Sequence, residues 1–136
     1  MDQNVRRAIN SGLYVIERNI RNLIRELENQ PDWILRKSVN DLTEETTRQL
    51  AEKSKLMLTE IGELEQAYNL DQTIESTRWR LTNSLSEVWS ILNELTSDQL
   101  RGYGTMTPME AEALTNRISK ITTLCNEMRN ILSNQA

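Results

Sequence analysis

The stretch AINSGLYVIERNIRNLIRELE, residues 8–28, decides the fold. Its aliphatic residues Ile9, Leu13, Ile16, Ile20, Leu23 and Leu27 are separated by alternating steps of four and three. That spacing gathers them into one stripe along an α-helix, the a/d pattern of a helix packed lengthwise against others. The same rhythm returns three more times. It runs through Leu50, Ser54, Met57, Ile61, Leu64 and Tyr68, then through Ile74, Arg78, Leu81, Leu85, Val88, Leu92 and Leu95. The last stripe is Ala111, Leu114, Ile118, Ile121, Cys125, Met128 and Leu132, widened by Leu124 and Ile131. Stripes of this kind are buried against one another. The spacing therefore predicts an all-α chain: an antiparallel up-down-up-down four-helix bundle forming one domain over residues 1–136, with helices over 3–29, 42–68, 72–100 and 108–133.

Local signals set the expected boundaries. Pro31 ends the first helix, since the residue before a proline is pushed out of the α region. The segment PDWILRKS, residues 31–38, reads as a short helical turn capped by Asp32, with Trp33, Ile34 and Leu35 plugging one end of the bundle. Asp41 and Glu44 form a candidate capping box for the second helix. Asn69-Leu70-Asp71 reads as a tight turn that aligns Arg78 with Glu63, so a contact between those two is expected; the alternative is an arginine whose stem packs while its head reaches water. Gly102 suits a helix end and Gly104 a turn. Thr107, Pro108 and Glu110 give the strongest start signal, a capping threonine followed by proline at the first helical position. Gly12 and Gly62 fall inside helices, at a cost near 1 kcal/mol each relative to alanine, which suggests close helix approach.

The totals exclude several functions. Of 136 residues, 16 are Lys or Arg and 20 are Asp or Glu, for a formal charge of −4. That balance argues against general nucleic-acid binding. Residues 1–40 carry seven basic and five acidic groups, and residues 41–70 three basic and seven acidic, so the first helix should weakly attract the second. There is no histidine. Histidine phosphotransfer, His-containing di-metal and haem sites, and Ser-His or Cys-His nucleophiles therefore fall away. The single cysteine, Cys125, allows no internal disulfide and reads as a small core residue. No apolar run is long enough for a membrane span, and the N-terminal segment has no signal-peptide core. No membrane partner is expected, and a cytoplasmic setting is the default expectation.

Three constellations remain. Glu60 and Glu63 form an E-x-x-E pair, and Glu87 follows 24 residues after Glu63. Over about 35 residues this resembles the all-α nucleotide pyrophosphohydrolases, a resemblance that implies magnesium held by helical carboxylates. The position matching the family's second-motif aspartate is Ser90, and heptad placement sets Glu63 and Glu87 away from the seam. A solvated acidic face is the plainer reading, and neither a metal nor a cofactor is expected. Arg18, Arg21 and Arg25, with Arg7 and Tyr14 nearby, form an arginine stripe suited to anions; Glu17 and Glu28 are placed to pair with Arg21 and Arg25. Trp79, Trp89, Tyr14 and Val15 stand off the main seams, where aromatic side chains serve protein contacts. These readings favour a non-enzymatic helical interaction protein that binds a protein partner or itself. The alternatives are the magnesium-dependent hydrolase and a ligand-sensing bundle of chemoreceptor type.

Overall fold

The computed structural model describes residues 1–28 and 33–135. Its helices are α1 (Gln3–Glu28), α2 (Glu44–Tyr68), α3 (Thr77–Glu94), α4 (Ser97–Leu100) and α5 (Pro108–Asn134). No strand occurs among the described residues, so the chain is all-α. It divides into two compact units, Met1–Thr73 and Ile74–Ala136. Each is a helical hairpin.

In the first unit, α1 packs on α2. Glu28, at the end of α1, lies 3.3 Å from Lys55, while Asn10 and Leu13 near its start line a groove with Ile61, Gly62 and Glu65. The two helices are therefore antiparallel. The side chains they share recur every seven residues: Leu13, Ile20 and Leu27 on α1, and Thr47, Ser54 and Ile61 on α2. Ser54 is the most buried of them, at 4% exposure. A small hydroxyl suits that place because it donates to the Leu50 carbonyl of its own helix at 2.7 Å and leaves no unmet donor. The Thr47 hydroxyl is buried without a partner.

In the second unit, α3 and α5 run antiparallel. The Cys125 thiol faces the Leu85 carbonyl at 3.7 Å, and Arg78 donates to the Gln135 carbonyl at 2.8 Å. The shared row is Leu85 and Leu92 on α3 with Ala111, Ile118, Cys125 and Leu132 on α5. Cys125 is buried, as a core residue should be.

The expected stripe thus divides in two. In heptad terms the a positions face the partner helix of the hairpin. Most d positions do not: Ile16, Leu23, Leu50, Met57 and Leu64 are exposed in the first unit, as are Leu81, Val88, Leu95, Ile121 and Met128 in the second, while Ile9 and Leu114 are half-buried. The physical reason is geometric. A helix in a bundle buries a and d against two different neighbours, whereas a hairpin supplies one neighbour. Positions flanking the a row are drawn in instead, including Ile24, Ala51, Leu58 and Thr122.

Several boundaries are corrected. Asn29, Gln30, Pro31 and Asp32 lie outside the described residues, and with them the expected stop at Pro31 and cap at Asp32. Residues 33–41 contain no helix. Ile34 and Leu35 are 101% and 98% exposed, so they plug nothing; the Arg36 guanidinium instead lies 4.3 Å from the Trp33 ring centre. The cap of α2 is Thr43 rather than Asp41, because the Thr43 hydroxyl reaches the Thr46 amide at 3.1 Å. Asn69 closes α2 in the left-handed conformation that asparagine tolerates (φ 51°), and its amide and that of Leu70 both donate to the Glu65 carbonyl. Leu70 folds back and is buried. The chain then forms no helix before Ser76, whose hydroxyl caps α3 through the Trp79 amide at 3.2 Å. The tight turn and early helix expected near 70–76 are absent, and Ile74 is 95% exposed. The third expected helix breaks after Glu94 because Thr96 caps a new turn, α4. No glycine has a positive φ, so Gly102 ends nothing by left-handed geometry. The start of α5 is as expected: Thr107 and Glu110 exchange both bonds of a capping box ahead of Pro108.

Candidate functional site

The aromatic residues singled out from the sequence have different fates. Trp79 follows the a-position Arg78 and points off the hairpin seam, 65% exposed. Trp89 follows the d-position Val88, on the side turned toward α5, and the Arg129 guanidinium lies 5.5 Å from its ring centre. Part of its face is thus already occupied. Val15 is exposed. Tyr14 is half-buried and lines a groove.

That groove, of about 570 Å³, lies between α1 and α2. Leu13, Leu58, Ile61 and Leu70 supply its apolar lining, while Asn10, Glu17, Arg21, Glu65, Asp71 and Gln72 supply polar groups. Gly62 is part of its wall. A Cβ added there would meet nothing within 4 Å, so Gly62 opens space rather than admitting a close helix, and Gly12 is equally open. The groove went unseen in the sequence because its walls combine the seam residues Leu13 and Ile61 with off-seam positions of two helices. Only the pairing of those helices brings Leu58 and Tyr14 together.

The arginine stripe is largely engaged. Arg21 binds Glu17 through two guanidinium nitrogens, each at 2.8 Å. Arg18 lies 5.9 Å from the centre of the Tyr14 ring. Glu28, expected beside Arg25, pairs with Lys55 across the hairpin. Arg25 sits in the last turn of α1, where a cation suits the helix dipole. Arg78 finds a partner in the Gln135 carbonyl of its own hairpin.

The acidic constellation does not assemble. Among the described residues no three Asp, Glu or Cys side chains gather closely enough to hold a metal ion, and Glu60, Glu63 and Glu87 form no such group. The strongest local electrostatics lie at the start of α2. Arg48 bonds Glu45 and also reaches Glu52 at 2.6 Å. Its hydrogen bond holds the Glu45 carboxyl below its ordinary pKa, and Glu45, then Glu52, raise that of Arg48. All three side chains are exposed, which marks a helix-stabilising cluster.

No helix among the described residues is long and apolar enough to cross a membrane. Comparison of the chain with protein-family models, with curated proteins and with solved structures finds no match.

Proposed function

We propose that this chain is a non-enzymatic helical interaction protein of the cytoplasm. It works through protein–protein contacts, self-association among them, and its long helices share their d rows in one antiparallel four-helix bundle over residues 1–136. The observation that supports the bundle is the set of exposed d rows, and exposed Trp79 and Val15 support the contacts. Each long helix keeps an apolar residue every seven positions that its hairpin does not cover: Ile16 and Leu23, Leu50 to Leu64, Leu81 to Leu95, Ile121 and Met128. Isolated exposed aliphatics are ordinary, but a row left open on each long helix is what a hairpin offers to a second pair of helices.

With the d rows spent on the bundle, Trp79 and Val15 remain as off-row contact residues, and Tyr14 contributes through the groove. The net charge of −4 favours protein over nucleic-acid partners. Sedimentation of the full chain across a hundredfold concentration range tests the self-associating part. The expected result is a mass that rises with concentration and loses that rise in Trp79→Ala. A constant monomer mass in both proteins contradicts self-association.

A further inference from the structure

The groove of the first hairpin carries a more specific assignment, which rests on the interaction reading above. We propose that it receives a basic amphipathic helix of a partner protein, with aliphatic side chains over Leu13, Leu58, Ile61 and Leu70 and cationic heads directed at Glu65 and Asp71.

Size, position and charge support it. At about 570 Å³ the groove has room for side chains of a docked helix. It is lined by positions such as Tyr14, Glu17, Gly62 and Glu65, which lie away from the d rows, so it stays open when those rows are covered. Its lining charges are three carboxylates and one guanidinium. The guanidinium, Arg21, is already bound by Glu17. Arg18, beside the groove, is held against the Tyr14 ring. Glu65 and Asp71 are the lining charges without a cationic partner, and no described Lys or Arg forms an ion pair with either. An apolar floor beside two unpaired carboxylates fits a lysine- or arginine-bearing helix, since those side chains lay apolar stems on such a surface and extend a charged head past it. The open space at Gly62 is where an incoming side chain would enter.

The test uses the full chain and a fluorescent 18-residue Leu/Lys peptide of heptad pattern, with a Leu/Glu peptide of the same pattern as control. Anisotropy should show binding of the Leu/Lys peptide alone. The double variant Glu65→Lys, Asp71→Lys should weaken that binding at least tenfold. So should Gly62→Leu, which fills the groove where no neighbour obstructs it; circular dichroism verifies that both variants keep their helix content. Equal binding of both peptides, undiminished binding by the variants, or full displacement of the peptide by millimolar spermidine would overturn the proposal, the last by assigning the groove to small amines. Because the d rows take no part, failure here leaves the interaction reading intact. The self-associating part of that reading fails instead if the chain keeps a constant monomer mass in sedimentation.

Discussion

Cys125 lies buried in the second hairpin, with its thiol facing the Leu85 carbonyl. Cys125→Ala should cost about 1–2 kcal/mol in urea unfolding, the usual penalty for a small core truncation. Gly62 was legible only as an oddity. Its meaning depends on what stands opposite, and nothing stands within 4 Å of an added Cβ. Gly62→Ala should therefore stabilise the chain by about 0.5–1 kcal/mol, since alanine gains helix propensity without a clash; an unchanged or lowered melting point would count against an open groove there. Glu45 carries the clearest pH signature. Its folded pKa is depressed by the Arg48 hydrogen bond. The stability it contributes is thus present above its unfolded pKa and is lost as pH falls through the lower folded value. NMR titration should place the Glu45 midpoint below the ordinary carboxylate range, and Arg48→Gln should return it there.

At the scale of helices, the long periodic segments were legible, as were the starts at Gln3 and Pro108 and the end at Tyr68, while both ends of the third helix were not. The Thr107-Pro108-Glu110 signal combines a cap, a proline and a reciprocal glutamate, and it starts α5 where expected. Thr107→Ala should cost about 1 kcal/mol in thermal or urea unfolding. Asp41→Ala, at the cap expected from sequence, should cost almost nothing, because Thr43 holds that role. The other ends were decided by hydroxyls competing for free amides. Ser76 caps a helix inside the heptad stripe that runs from Ile74 to Leu95, and Thr96 caps another just past its end. Periodicity reports which face a helix would bury, not whether the backbone stays helical through every turn. The helix-free run from Leu70 to Ser76 carries Ile74 at a correct heptad position, yet Ile74 lies in solvent.

At the scale of the molecule, the all-α class followed from the stripes, and the division of each stripe did not. Leu85 and Val88 are indistinguishable by spacing, but the first faces α5 and the second is exposed. Which half of an a/d stripe a hairpin covers depends on the pairing of two helices distant in sequence. The groove of the first hairpin was hidden for the same reason.

The central claim is that the exposed d rows are covered in solution by helices. The most direct test is the alkylation rate of a cysteine placed at Val88, with Ser90→Cys as the outward-facing control and buried Cys125 as an internal slow reference. The account predicts that Val88→Cys reacts at least about tenfold more slowly than Ser90→Cys in native protein, and equally fast in urea. Equal rates under native conditions would contradict it.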